Sequence, residues 1–258
     1  MILTDTHTHL YLKDFDNDRK QIIENAIKKG VKYMFLPNID NISIKSMLNI
    51  CKDFPKNCFP MIGLHPSCVK ENFKKELKNI DILLKEKKYN FFAIGETGMD
   101  LYRDKTFAKL QEIAFKHQID LALKYKLPVV IHSRNSFDKI FKIIKNFNNS
   151  NLKGIFHCFT GTIAQANKVT ELGFKLGIGG IITFKNSDLD NTIRYVDLKN
   201  IVLETDSPYL APMPYRGKRN ESSYLYYIAK KIAEIKNISI EEIAEITTKN
   251  ANEVFKFI

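Results

Sequence analysis

The chain has 258 residues, of which 44% are hydrophobic and 27% are charged; this composition supports a globular core and excludes an intrinsically disordered chain. No apolar stretch is long enough to cross a bilayer, and Asp5 stands where a secretory signal would have its basic start, so we expect a cytoplasmic protein. Lysine and arginine outnumber aspartate and glutamate by 40 to 29, and the formal net charge of +11 suits a polyanionic partner, although lysines spread along helices are also typical of a solvated face.

Apolar runs of strand length recur along the chain, with amphipathic stretches between them. In chain order the runs are ILTDTHTH, VKYMFLP, CFPMIGLHP, FFAIGETG, PVVIHS, GIFHCF, FKLGIGG and NIVLETDSP. Two of the helical patterns between them, RKQIIENAIKKG and AQANKVTELG, end at Gly30 and Gly173, and glycine is favoured at helix C-termini. About eight strand–helix units in a chain of this length predict a (β/α)8 TIM barrel that forms a single domain over residues 1–258. The alternative is an open doubly wound sheet, which would favour a glycine-rich phosphate loop after its first strand, whereas this first strand ends in histidines.

Five of the six histidines lie at the C-terminal ends of these runs. They are His7, His9, His65, His132 and His157, and two carboxylates, Glu96 and Asp206, occupy the same position in further runs. Because the C-terminal ends of barrel strands converge on one mouth, these seven side chains should face a single cavity. The sixth histidine, His117, lies within a helical pattern, and we interpret it as structural.

The residue types of this cluster indicate a metal centre. Histidine and carboxylate without thiolate form a ligand set for Zn, Mn, Fe, Ni or Mg. Six candidate ligands exceed what one ion open to substrate needs, so we expect two divalent ions bridged by a carboxylate. The four cysteines form no C-x-x-C pair, and we interpret them as buried free thiols rather than as a structural zinc site; they are Cys51, Cys58, Cys68 and Cys158.

Several longer motifs run from residue 4 to about residue 221. They are TDTHTH, GLHP, GETGMD, LPVVIHSR, HCFTG, GIGGIITFKN, ETDSPYLAP and RGKRNE, and together they resemble the TatD family of metal-dependent deoxyribonucleases, within the amidohydrolase-like superfamily. The resemblance implies that one ion is bound by His7, His9 and Asp206, and that Glu96 bridges to a second ion held by His132 and His157. It also implies 3′ to 5′ exonuclease action on single-stranded or frayed DNA ends, with a role in DNA repair or turnover. The chain departs from the family at Thr97 and Ser222, and neither departure removes a ligand.

One of the expected ligands, Asp206, and two further residues, Glu204 and His65, have predicted roles in the reaction. A two-metal centre would activate a water molecule for attack on a phosphodiester, and Asp206 is placed to be both a ligand and the acceptor of the proton from that water. Glu204 shares the strand face of Asp206, and it either orients a ligand or is a core acid paired with lysine or arginine. His65 resembles the additional active-site histidine of the family, which favours contact with the substrate phosphate over metal binding.

Basic and aromatic residues follow the same strand ends and predict the phosphate and base contacts. We expect phosphate binding by Arg134, Arg216, Lys218 and Arg219, because guanidinium groups bind phosphate in a bidentate manner. Tyr209 or Tyr215 is a candidate for stacking on a nucleobase.

Two other functions are open at this point. The same barrel and metals would also hydrolyse an amide or ester, for example in a D-aminoacyl-tRNA; the basic rim disfavours small neutral substrates but not tRNA. The second function is nucleic-acid binding by a barrel without catalytic activity. The presence of every expected ligand disfavours it. No membrane contact and no obligate protein partner is indicated.

Overall fold

The computed structural model describes residues 1–102, 104–147 and 151–258. Within these residues the chain alternates between parallel strands and helices. The strands are β1 Leu3–Asp5, β2 Val31–Pro37, β3 Cys58–Met61, β4 Ile94–Asp100, β5 Val129–Arg134, β6 Gly154–Phe156, β7 Lys175–Ile178 and β8 Ile201–Leu203. The α-helices are α1 Arg19–Lys28, α2 Ser43–Asp53, α3 Phe73–Glu86, α4 Ala108–Tyr125, α5 Phe137–Lys145, α6 Ile163–Glu171, α7 Leu189–Tyr195, α8 Leu225–Lys236 and α9 Ile240–Phe255.

The strands form two parallel ladders that meet at two seams. One ladder has the order β1-β2-β3 and the other β4-β5-β6-β7-β8. At the first seam Ile62 pairs with Ile94, and at the second Thr8 pairs with Ser207. The second seam is also closed by a bond from the Thr6 N–H to the carbonyl of Leu203, at 2.9 Å. The strands therefore complete a ring, which confirms the predicted (β/α)8 barrel and excludes the open doubly wound sheet.

The barrel is packed on its inside and its outside by two apolar clusters. Inside, five strand residues, Phe35, Met61, Val130, Ile155 and Val202, contact Ala251, Val254 and Phe255 of α9. Helix α9 thus covers the N-terminal end of the barrel. The larger cluster lies between the strands and the surrounding helices. Because the bottom is sealed in this way, the C-terminal ends of the strands are left as the open mouth.

The two predicted helix ends at glycine are also present. Gly30 follows α1 with a φ of 91°, and Gly173 follows α6 with a φ of 79°. A residue with a Cβ is strained in this left-handed region, which explains why glycine ends both helices. Among the described residues, none of the helices is both long and apolar enough to span a membrane.

Candidate functional site

The seven predicted side chains meet at the C-terminal end of the barrel, and Glu96 lies at their centre. The carboxylate oxygens of Glu96, on β4, are 2.7 to 3.6 Å from ring nitrogens of all five histidines. Six of the seven residues line a cavity of about 560 Å³. The seventh, His7, is fully buried, and its ring stacks on that of His157 with the centroids 3.6 Å apart.

His7 and His9 are positioned by the second seam of the barrel rather than by β1 itself. The strand ends at Asp5, and Thr8, between the two histidines, pairs with Ser207 in an extended segment. This pairing directs both histidine rings to one side, with their Nε2 atoms 3.2 Å apart. The alternation expected of a strand therefore continues past the end of the ladder.

Tyr11 determines which nitrogen of His9 faces the cluster. Its hydroxyl donates to the carbonyl of Pro37 at 2.6 Å and lies 2.8 Å from His9 Nδ1. A carbonyl oxygen only accepts, so the single hydroxyl proton is used there and His9 Nδ1 must donate to Tyr11. Neutral His9 therefore presents the lone pair of Nε2 to the cluster, as a metal ligand does.

Glu204 lies behind the ring of His157, close to its Nδ1. Its Oε1 lies 3.0 Å from His157 Nδ1 and accepts the N–H of Cys158 at 2.5 Å. The carboxylate fits because its neighbour on β7 is Gly177, where a Cβ would lie 2.2 Å from Glu204 Oε2. Glu204 is fully buried, and it forms no ion pair with a lysine or arginine within the described residues. Of the two roles predicted for Glu204, this placement favours the orientation of His157.

His132 lies between two carboxylates of β4. Its Nδ1 is 2.7 Å from Glu96 Oε1, and its Nε2 is 3.2 Å from Asp100 Oδ2. Burial alone would lower the pKa of His132, but its hydrogen bonds to Asp100 and Glu96 outweigh burial and raise the pKa. A proton shared between Nε2 and Asp100 leaves the lone pair of Nδ1 for the cluster.

His65 has the opposite arrangement. The backbone N–H of Ser67 donates to His65 Nδ1 at 3.1 Å. Since an amide N–H only donates, Nδ1 carries the lone pair, and the proton of the neutral ring is on Nε2. That Nε2 faces Glu96 Oε1 at 3.3 Å. His65 therefore presents a hydrogen-bond donor to the cavity, unlike His9.

The donor set fits divalent cations. Three groups of ligand atoms each lie within 4.8 Å of one another: His7 with His157 and Asp206, His7 with His9 and Glu96, and His65 with Glu96 and His132. Burial alone would raise the pKa of Glu96, but the imidazoles of His65, His157 and His7 hold it well below its usual value. Burial lowers the pKa of His7, which favours the neutral ring. Burial would lower the pKa of His157, but Glu204 and Glu96 outweigh it and hold this pKa well above its usual value. A divalent cation would replace these protons, since an ionised carboxylate with deprotonated imidazoles is a typical ligand set.

The loop after β8 positions Asp206. This residue has a φ of 56°, a left-handed conformation that aspartate tolerates better than most residues. Its Oδ1 lies 3.4 Å from His9 Nε2. The buried side chain of Asn220 donates to the carbonyls of Thr205 and Tyr209, at 2.8 and 2.7 Å, and so ties the loop on both sides of Asp206. Part of the RGKRNE motif is therefore structural.

Three of the predicted substrate contacts lie at the cavity. His65, Arg134 and Tyr209 line it, and Tyr209 is 53% exposed at the mouth. The guanidinium of Arg134 lies over the ring of Tyr102, 4.1 Å from its centroid. One face of the guanidinium is thus packed while its N–H groups stay available.

The other predicted contacts lie outside this cavity. They are Arg216, Lys218, Arg219 and Tyr215. Arg219 forms two bonds to the carboxylate of Asp18, at 2.9 and 2.6 Å. Arg216 lies over a phenylalanine ring beside a neighbouring depression, Lys218 is exposed, and Tyr215 stacks on another tyrosine. Substrate binding by these four residues stays a prediction, and for Arg219 the ion pair is a sufficient structural role.

Two residues that shape the site were not predicted, although a signal for both was present. Asp100 is four residues after Glu96, and Tyr11 is two residues after His9, so in extended chain each shares a face with the ligand it supports. No such signal marked Lys70, which lines the cavity from the loop after β3. The remaining histidine, His117, is exposed on α4. The four cysteines are free, as predicted, but the prediction that all are buried is wrong: only Cys58 is buried, and Cys51, Cys68 and Cys158 are partly exposed.

Comparison with known proteins gives one consistent result. Residues 4–256 match the family described as TatD related DNase. The chain is 39% identical over 269 residues to the uncharacterized metal-dependent hydrolase BU355 of Buchnera aphidicola subsp. Acyrthosiphon pisum (strain APS), with 99% of each chain covered. It is 35% identical over 256 residues to the uncharacterized metal-dependent hydrolase YabD of Bacillus subtilis (strain 168), again with 99% of each covered. Among solved structures, YJJV, a TatD homolog from Escherichia coli K12, superposes with a TM-score of 0.93 at 26% identity, with 98% of each chain covered.

Proposed function

Because the chain belongs to the TatD family of metal-dependent hydrolases, we propose that it hydrolyses phosphodiester bonds of DNA. The proposed substrate is a single strand or a frayed end, shortened from its 3′ terminus. Such an activity serves DNA repair or turnover in the cytoplasm.

One observation carries the proposal: the carboxylate–imidazole cluster is the floor of a cavity whose wall bears groups suited to a phosphate. Arg134 and Lys70 line this wall, and His65 directs its Nε2–H into the cavity. A phosphodiester carries one negative charge on two non-bridging oxygens, which a guanidinium binds in a bidentate manner. A neutral amide would gain little from these cations.

The residues that would hold two divalent ions are those that the family resemblance implies. By that resemblance His7, His9 and Asp206 would bind one ion, His132 and His157 the other, and Glu96 would be shared. Glu96 is within 3.6 Å of a ring nitrogen of each of these four histidines. When bound, ions such as Mg²⁺, Mn²⁺ or Zn²⁺ supply Lewis-acid activation of water and neutralise charge on the phosphate.

Protein side chains supply the remaining steps. The side chain of Asp206 is 14% exposed and that of Glu96 only 3%, so Asp206 is the carboxylate placed to accept a proton from the attacking water. His65 would donate its Nε2–H to one non-bridging oxygen, and Arg134 would pair with the same phosphate. Held by both, the phosphorus is oriented for in-line attack.

The test is cleavage of an end-labelled single-stranded DNA with added Mg²⁺ or Mn²⁺ and with chelator. We expect metal-dependent shortening from the 3′ end by the wild type. Glu96→Ala should lower the rate by more than about a hundredfold. Loss of a residue that only hydrogen-bonds a metal ligand already lowers metal affinity or activity by ~10–100-fold, and Glu96 is expected to be a ligand itself. Glu112→Ala is the matched control, because Glu112 lies on α4 and, among the residues that the structure describes, forms ion pairs only with Lys109 and Lys116 of the same helix.

A metal-loaded wild type that leaves DNA intact under every ion tried would overturn the proposal. An amide or ester substrate would then be the leading alternative, tested with an aminoacyl-tRNA. Shortening from the 5′ end would leave phosphodiester hydrolysis in place and overturn the polarity.

A further inference from the structure

Two pairs of a cation and an aromatic ring stand on one side of the cavity mouth. Lys70 Nζ lies 4.7 Å from the ring centroid of Phe107, and the guanidinium of Arg134 lies 4.1 Å from that of Tyr102. Lys70, Phe107 and Arg134 all line the cavity that has the ligand cluster as its floor. The four residues come from the loops after β3 and β4 and from the end of β5, so they belong to neighbouring units of the barrel.

The two cations are not held in ion pairs within the described part of the chain, although Asp104 lies near Lys70 and Asp100 near Arg134, and each cation helps to lower the pKa of its acid. Within the described residues, neither Lys70 nor Arg134 forms an ion pair, whereas Arg219 is paired with Asp18. Two acids do stand on this side of the cavity. Asp104 accepts the N–H of Thr106 at 2.8 Å, and Asp100 contacts His132. Both cations therefore keep hydrogen-bond donors for an anionic ligand.

Tyr102 stays largely exposed although it packs on Arg134. Arg134 covers one side of this ring, yet the residue is still 54% exposed. An aromatic face beside free cations is the combination with which proteins hold single-stranded nucleic acid, because the base stacks on the ring while the backbone phosphate pairs with the cation. A lone phosphate or a metal ion would use only the cations.

We propose that Lys70, Phe107, Tyr102 and Arg134 form a binding subsite for the nucleotide next to the scissile phosphate. The flanking phosphate lies on Lys70 and Arg134, Phe107 supports the lysine, and the base stacks on Tyr102. This inference rests on the proposed function. It predicts that the enzyme binds the DNA strand through the nucleotide on one side of the bond that it cleaves.

Metal-loaded protein is titrated with a fluorescein-labelled, hydrolysis-resistant phosphorothioate oligothymidylate at several salt concentrations, with fluorescence anisotropy as the readout. Lys70→Met should weaken binding and lower the slope of log affinity against log salt by about 0.7, the value for one phosphate contact on a single strand. Tyr102→Leu should weaken binding by about 5- to 100-fold without changing that slope, because stacking releases no counterions. The metal content and melting temperature of both variants should equal those of the wild type, because the substituted residues are exposed at the mouth.

The matched control is Lys168→Met. Lys168, on α6, also lies over an aromatic ring, with its Nζ 5.4 Å from the ring centroid of Phe141 on α5. Both residues lie outside the cavity. This variant should bind with the affinity and salt slope of the wild type. If Lys70→Met and Tyr102→Leu also match the wild type while the wild type binds and cuts DNA, the subsite is wrong and the proposed function stands. If the wild type does not bind the oligothymidylate, both are overturned.

Discussion

Asp5 is a buried acid that links the two ends of the chain, and its ionisation should affect stability. Its carboxylate accepts the N–H groups of His7 and Thr205 and the hydroxyl of Thr205. Burial raises its pKa from 3.8 to about 7. An acid with a higher pKa in the folded state makes that state bind more protons than the unfolded chain. Its contribution to the free energy of unfolding therefore falls as the pH rises from about 4 to about 7.

Asp5→Asn should remove this pH dependence, because an amide does not ionise and its oxygen still accepts the backbone N–H groups. Relative to the wild type, the variant should gain stability between these pH values, on the order of 1–4 kcal/mol. Urea unfolding at several pH values measures the difference. The control is Asp81→Asn. The hydrogen bond from Lys124 lowers the pKa of Asp81 below 3.8, so the contribution of Asp81 changes only below about pH 4, and the curves of this variant and the wild type should run parallel between pH 4 and 7. Parallel curves for Asp5→Asn and the wild type would contradict the prediction.

At the residue scale, the sequence predicts the candidate ligands better than the residues that orient them. The ligands follow apolar runs, and the end of a run is visible in the sequence. The contact of Glu204 with His157 instead depends on the reach of a side chain across β7, at the one position where Gly177 leaves space. A linear pattern does not contain that distance, which is why two roles for Glu204 stayed open until the packing was known.

The close packing of β7 against the segment after β8 leaves no room for a side chain at Gly177. Gly177→Ala would place a Cβ 2.2 Å from Glu204 Oε2, so the carboxylate must move away from His157 or the two strands must separate. We expect metal affinity to fall by about 10–100-fold, the usual effect of losing a residue that orients a ligating histidine. Overpacking should also lower the free energy of unfolding by about 1–3 kcal/mol. Titration with Co²⁺, followed by its visible absorption, measures the affinity.

Gly179→Ala is the matched control for this substitution. Gly179 lies two residues further along the same segment. A Cβ at this position would be 3.6 Å from the nearest atom, the backbone oxygen of Glu204, which is an ordinary van der Waals contact. Near wild-type affinity is expected for this variant. An equal loss of affinity in both variants, or none in Gly177→Ala, would show that the space beside Glu204 does not control His157.

At the element scale, the number and order of strands follow from the sequence, but their lengths do not. Strands β1, β6 and β8 are only three residues long, although each lies in a longer apolar run. The ends of these runs leave the ladder. They direct His157 and Asp206 into the mouth and hold the buried ring of His7 against that of His157. Their backbone groups bond across the seams and loops instead, as the Asp206 N–H does to the carbonyl of His7 at 2.9 Å. Such non-local bonds have no local sequence signal.

For the molecule as a whole, the candidate ligands come from both ladders. His7 and His9 follow β1 of the three-stranded ladder, whereas Glu96 and His132 lie on strands of the five-stranded ladder. Because the seams between the ladders contain isolated pairs rather than continuous ladders, ligation across them should stabilise the closed barrel. The N- and C-terminal parts of the chain would then be held together most firmly in the loaded protein.

Metal removal should therefore lower the melting temperature and loosen the second seam first. At a metal concentration about 100 times the dissociation constant, binding stabilises by about 2.7 kcal/mol, which for a domain of this size corresponds to roughly 5–10 °C. Hydrogen exchange should show faster exchange at the amides of Thr6, Thr8 and Asp206 after chelation, with little change within the β5–β6 ladder. Glu96→Gln should reduce the stabilisation by added Mn²⁺, since it removes the shared carboxylate. A uniform change in exchange over the barrel would mean that the ions stabilise the fold without acting across the seam.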